Sequence, residues 1–219
     1  IPNRAKLLRD GAYLHALAGA WNKAQDTSTL FLKEKISAYR DDMIYLQARA
    51  AEFQMKFVEA SEAYVQLGKA YPKYSKSIVS LGRAEKLAAA EDRLDLSASA
   101  SDILGDIEPE RSKKFEAYDR AIHQYLALGS TTDAQRVSAK YSKLAASEDE
   151  RLKGQLVAAR IGISNTKESS KALKTLESVS QKSARLKDKN TSNSKFAAIS
   201  AESNFILAEE SRDEFEDFD

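Results

Sequence analysis

The chain has 219 residues, 42% of them hydrophobic, with 34 Lys and Arg against 33 Asp and Glu and no cysteine. That size and apolar content suffice to bury a continuous core; the near-neutral charge offers no electrostatic footprint for a nucleic-acid backbone or an anionic membrane, and the missing cysteines exclude a disulfide framework, a thiolate nucleophile and a zinc-thiolate site. No apolar run approaches the roughly 20 residues that cross a bilayer, so no direct membrane span is expected. The chain opens on Ile1-Pro2-Asn3 without a start methionine and closes on an acidic run, so it reads as a piece of a longer protein, and cytoplasm and periplasm both stay open.

Three prolines and eight glycines are few breakers for this length, and no alternating β-branched run of the kind a sheet needs is present. The spacing of apolar residues predicts helices over 4–23, 28–40, 42–55, 57–70, 75–90, 93–104, 110–128, 131–146, 148–163, 167–180 and 194–216. Pro72 follows one helix, Pro109 opens another, and Gly129-Ser130-Thr131 separates a pair. Connections this short force neighbouring helices to run antiparallel. Between Lys187 and Ser194 apolar residues vanish and turn formers dominate, which predicts a linker over 187–194.

The clearest repeated unit runs from Asp41 to Tyr74. Ala60, Tyr64, Leu67 and Pro72 fall there at the spacing Ala-x3-aromatic-x2-apolar-x4-Pro, preceded by Ile44, Ala48 and Ala51. This pattern resembles the tetratricopeptide-repeat (TPR) family. Its spacing has a physical reason: small residues let two helices cross closely, a large ring fills the gap between hairpins, and proline stops the second helix. A second unit opens at Ser75 with Ile78, Leu81 and Gly82, although its second helix, around Leu94 and Ala98, matches poorly. A third begins near Phe115 with Tyr118, Ala121, Tyr125, Gly129 and Ala134, and a fourth near Lys153 with Leu156, Ala159, Ile163, Ala172 and Leu176. The expected fold is therefore all-α, an irregular TPR-like α-solenoid over 1–186 with units 41–74, 75–114, 115–152 and 153–186. The first two helices, which include Tyr13, Leu14 and Leu17, form a degenerate unit of unset phase.

A stack of helix pairs leaves open a face made by the first helix of each pair. The resemblance implies that Asp42, Tyr45, Arg49 and Glu52 line that groove, followed by Lys76, Arg83, Lys86, Asp119 and His123 from later units. Such a mixed polar and aromatic face suits an extended peptide or a helix of another protein. Against it stands the reading of each residue as a solvated surface side chain. Trp21 and the tyrosines are read as packing between helices.

No catalytic constellation is present. The two histidines, His15 and His123, have no glutamate three positions before them, and there is no HExxH, phosphate-binding glycine loop or nucleophile elbow. Asp119 and His123 stand at i,i+4, a common surface pair. No cofactor and no metal site is expected.

The last segment, 195–219, reads as an acidic amphipathic helix. Ala198, Ala201, Phe205, Ala208 and Phe215 make one apolar stripe, with Glu202, Glu209, Glu210, Asp213, Glu214, Glu216 and Asp217 elsewhere and Arg212 among them. It is expected either to cap the last hairpin or to meet a partner. Ala201 to Glu209 also resembles junction helices of large bacterial repeat proteins of the envelope and of gliding-type motility systems. The function expected is a non-catalytic protein-binding scaffold segment of a larger assembly, related to the bacterial envelope or motility, with the periplasm or cell envelope favoured over the cytoplasm; the alternative is a structural rod whose ends pair copies of the chain.

Overall fold

The computed structural model describes residues 4–34, 36–163, 169–189 and 194–216, the side chains of 189 and 213–216 excepted. These residues are helical almost throughout: α1 (Arg4–Leu17), α2 (Trp21–Lys33), α3 (Arg40–Phe53), α4 (Phe57–Ala70), α5 (Ser77–Ala90), α6 (Leu94–Ile107), α7 (Arg111–Ala127), α8 (Thr131–Leu144), α9 (Glu148–Ile163), α10 (Ser169–Lys189) and α11 (Ser194–Glu216). The all-α arrangement expected from the sequence is the one found, with consecutive helices packing on one another from α1 to α7 and again from α8 to α11. Two compact units result, Ile1–Leu128 and Gly129–Asp219.

The helix predicted over 4–23 is two helices. Gly19 adopts φ +71, and the Ala20 N–H reaches back to the His15 carbonyl at 2.9 Å, a Schellman closure that ends α1. The same turn recurs. Met55 (φ 59) and Asp92 (φ 55) take the left-handed conformation, and the N–H groups of the residues after them, Lys56 and Arg93, bond to Ala51 at 3.0 Å and Ala88 at 2.9 Å. Gly129 (φ +70) continues the series. These turn residues stand 36, 37 and 37 positions apart, a more even spacing than the 34 and 40 expected for the units that begin at 41 and 75.

The left-handed backbone costs a side chain about 1 kcal/mol that glycine avoids. Met55 is 79% exposed and no packing is lost by removing it, so Met55→Gly is expected to raise the stability of this unit by about 0.5–1 kcal/mol, read from the shift in a urea midpoint. A lower midpoint would mean that the turn is held by the Met55 side chain.

The true period exposes a repeat the sequence reading passed over. Ala60, Tyr64, Leu67 and Gly68 of α4 correspond, 37 residues on, to Ser97, Ser101, Leu104 and Gly105 of α6, the helix that seemed a poor match; all eight are buried. Two glycines make the joints. A Cβ on Gly68 would lie 2.7 Å from the Leu81 side chain, and one on Gly105 would collide with the Tyr118 ring. Leu81 and Tyr118 are also 37 apart, so each second helix receives a large side chain of the next first helix in a hole only glycine leaves. In the first unit Ala48, Ala51, Ala60, Tyr64, Leu81, Ala84, Leu104 and Ala117 share one core, while Ala12, Phe31, Met43 and Leu46 close a second between the first two pairs.

In the second unit Leu152, Leu156, Ala172, Leu176, Val179, Phe196, Ile199 and Ile206 join α9, α10 and α11. Two expectations change there. Residues 187–189, assigned to a linker, are the last turn of α10, and 190–193 lie outside the described residues. The stripe Ala198, Ala201, Phe205 and Ala208 does not pack inward; these four are exposed, and α11 buries Phe196, Ile199, Ser203 and Ile206 instead. The side chain of Phe215, like that of every acid from Asp213 on, lies outside the described residues.

Candidate functional site

The first helices of the pairs in the first unit, α3, α5 and α7, carry the predicted groove residues, and the structure sorts these into three groups. Arg49 and Glu52 of α3 and Arg83 of α5 form one network. Glu52 accepts from Tyr64 Oη at 2.6 Å and from Arg49 at 3.1 Å on one oxygen, and from Arg83 at 2.5 Å on the other. Arg49 also lies over the Phe53 ring, 4.6 Å from its centroid. Burial, then the hydrogen bond and charge of Glu52, push the Tyr64 phenol well above its usual range. Arg49 is only 22% exposed, so it and Arg83 are committed to holding α3, α4 and α5 together.

Asp42, Tyr45 and Lys76 form the second group. The Tyr74 hydroxyl donates to Asp42 Oδ1 at 2.7 Å, the Tyr45 ring meets Tyr64 and Tyr74 with centroids 6.3 Å away in each case, and Lys76 Nζ sits 4.3 Å over Tyr45. Desolvation, then Asp42, pushes the Tyr13 phenol of α1 up to about 12. This cluster pins the α4–α5 connection onto α3. In the third group Asp119 and His123 of α7 are 3.9 Å apart at i,i+4, with His123 exposed and the facing Asp119 Oδ1 buried.

A cleft of about 860 Å³ opens between α5, α6 and α7, lined by Val79, Gly82, Arg83, Lys86, Ser97 and Gln124 among others. Of the nine predicted residues only Arg83 and Lys86 border it. Arg120, which sequence reasoning missed, is 37 residues after Arg83 and repeats its role: it binds Glu85 of the preceding first helix through Nε at 2.5 Å and Nη2 at 3.2 Å. The cleft floor is fixed by Ser97, fully buried, which donates to the Glu85 carbonyl at 3.3 Å and accepts from Gln124 Nε2 at 2.8 Å. That commits the Gln124 amide nitrogen and leaves its Oε1, a buried acceptor, with no donor among the described residues. Lys86 is exposed and makes no ion pair among them. The 37-residue period places Arg49, Lys86 and His123 at one register position, a signal the unequal unit boundaries concealed.

Among the described residues no three His, Cys, Asp or Glu side chains converge in a way that could hold a metal ion, and no helix is long and apolar enough to cross a membrane.

No family model matches the chain, and no curated protein matches it. Among solved structures it is similar to a kinesin-light-chain-type protein of nearly identical TPR-like repeats from Podosopora anserina, at 18% identity, covering 85% of this chain and 98% of that one with a TM-score of 0.43.

Proposed function

We propose that this chain is a non-catalytic protein-binding segment of a larger assembly, and that the cleft between α5, α6 and α7 receives an extended, acidic segment of a partner protein. The observation that carries the reading is the pairing of an uncommitted cation with an uncommitted buried acceptor in one cleft. Among the described residues Lys86 has no carboxylate partner and Gln124 Oε1 no donor. An extended peptide supplies both, a backbone N–H for the amide oxygen and a side-chain carboxylate for the ammonium. Val79, 62% exposed, gives the apolar contact beside them. Arg83 and Arg120 border the same cleft but are balanced by Glu52 and by Glu85, itself a lining residue, so Lys86 carries the attraction for a carboxylate. The resemblance of Ala201 to Glu209 to junction helices of bacterial repeat proteins suggests an envelope or motility assembly as the setting.

The test is an array of extended peptides of graded charge, probed with the parent and with Lys86→Glu. Acidic peptides should be retained by the parent, and the variant should lose roughly tenfold or more in affinity through like-charge repulsion, with the difference shrinking as salt rises. Its melting should stay within about 0.5 kcal/mol of the parent, because Lys86 is exposed. Equal retention by both proteins would move the interface off this cleft.

A further inference from the structure

The 37-residue period sets the cleft face of α5 against the same face of α3, one pair earlier. Asp42, Tyr45, Arg49 and Glu52 of α3 correspond to Val79, Gly82, Lys86 and Ala89 of α5, and all four of the later residues line the cleft. On α3 these positions are filled from within the chain. The Tyr45 ring meets the rings of Tyr64 and Tyr74, and the Glu52 carboxylate accepts from Arg49 at 3.1 Å. On α5 a glycine stands where the ring was and an alanine where the carboxylate was. Only the cation is kept, with Lys86 in the place of Arg49. Ser101 of α6 stands in the place of Tyr64, so the second ring of the α3 face is missing as well. The cleft is a vacated copy of a face that the chain closes for itself one pair earlier, and what it lacks is a ring and a carboxylate.

Gly82 is an independent sign. Glycine weakens a helix interior relative to almost every other residue, so a helical glycine calls for a reason. Gly68 and Gly105 have one, since a neighbouring side chain occupies the place of a Cβ. At Gly82 nothing lies within 4 Å of where a Cβ would stand. It serves no joint of the fold, and its effect is to keep the cleft open beside Val79 and Leu104, the apolar side chains of the lining.

We infer that the acidic segment received by this cleft carries an aromatic residue two positions from its carboxylate, with the ring over Gly82 and the carboxylate on Lys86. The inference rests on the reading of the cleft given above and adds the side chain that sets its specificity. Gly82 and Lys86 are four residues apart on α5, about 6 Å along the helix axis. In an extended chain the side chains of one face recur at every second residue, about 6.6 Å apart. A ring and a carboxylate at that spacing reach both positions at once, whereas neighbours in sequence point to opposite faces.

The test uses the full chain, its Gly82→Leu and Lys86→Glu variants, and short synthetic peptides of serine and glycine that hold one aspartate, with phenylalanine, leucine or alanine one or two positions from it. The parent should retain the peptide with phenylalanine two positions away roughly tenfold better than the one with alanine there, as expected for burying a ring, with leucine between them and phenylalanine next to the aspartate no better than alanine. Gly82→Leu should abolish this preference while keeping the dependence on aspartate, because its side chain fills the place of the ring. Its urea midpoint should be no lower than that of the parent, since leucine forms helix better than glycine and its Cβ meets nothing; if the midpoint does fall, Gly82→Met takes its place with the same expectations. A phenylalanine preference that survives in the Gly82 variant overturns the inference, as does equal retention of all three peptides by the parent. If retention in that last case still needs the aspartate and is lost in Lys86→Glu, the acidic-segment reading stands without the ring. Retention of none of the aspartate peptides overturns both.

Discussion

Tyr64→Ala is expected to destabilise the first unit by about 3–5 kcal/mol, the range for emptying a large buried site that cannot collapse. Tyr64 is fully buried, at the centre of the core that α3, α4, α5 and α6 share, and small neighbours such as Ala48, Ala60 and Ala84 have no rotamer that could fill the space. Truncation also takes the 2.6 Å donor from Glu52. Tyr64→Phe separates the two effects. It keeps the ring and loses only the hydroxyl, and because Arg49 and Arg83 still hold the Glu52 carboxylate, its cost should be nearer about 1 kcal/mol. Urea unfolding followed by circular dichroism reads both. If Tyr64→Ala unfolds within about 1 kcal/mol of Tyr64→Phe, the ring does not fill the joint between α4 and its neighbours.

The fold was legible in the sequence wherever burial alone dictates residue type. Ala60, Tyr64 and Leu67 were placed in the core by the spacing of small and aromatic residues, and all three have no exposed surface. The period was not legible, because the residues chosen to fix it tolerate substitution. Ser97 and Ser101 occupy in α6 the places of Ala60 and Tyr64, and a serine there hides the match while remaining small enough to fit. The better markers were steric: Leu67-Gly68 and Leu104-Gly105, where a neighbouring side chain leaves no room for a Cβ, and the turn residues with positive φ. Met55 in its turn gave no signal, since nothing in its chemistry favours that backbone, and Asp92, whose short polar side chain tolerates it, is too common on exposed helix ends to mark a turn alone.

The candidate site was half legible for a related reason. Charge placed on the first helix of a pair can point at a ligand or at the next pair, and sequence spacing does not separate the two. Glu52 and Arg83, or Glu85 and Arg120, become ties only once the superposed helices bring them to contact distance. Lys86 lies one turn from Arg83 and differs in having no carboxylate partner among the described residues. What the sequence could have offered was the period itself, which would have matched Arg83 with Arg120 and marked both as recurrent joints.

Stability is expected to hold level to about pH 9.5 and then to fall steeply, because the buried phenols of Tyr64 and Tyr118 cannot ionise where they are. For Tyr64 burial comes first and Glu52 second; for Tyr118, 5% exposed, burial comes first and then Asp106, which accepts its hydroxyl at 2.8 Å. Both phenols are held well above the ordinary tyrosine value near 10. Above that value the unfolded chain releases both protons while the folded one keeps them, so the folded state binds more protons and stability must decline with rising pH. Tyr13 and Tyr74 of the same unit are held up as well, by burial and by Asp42. Each such group contributes a slope of about 1.4 kcal/mol per pH unit, and the four together about 5.4. Urea midpoints across about pH 8 to 11 would give the slope, and Tyr64→Phe should reduce it by about a quarter while leaving the share of Tyr118 in place. The phenolate absorbance of these residues should rise together with the loss of helix and not before it. Ionisation that precedes unfolding, or a slope unchanged in Tyr64→Phe, would mean that water reaches the Tyr64 hydroxyl in the folded protein and that the Glu52 network is open on that side.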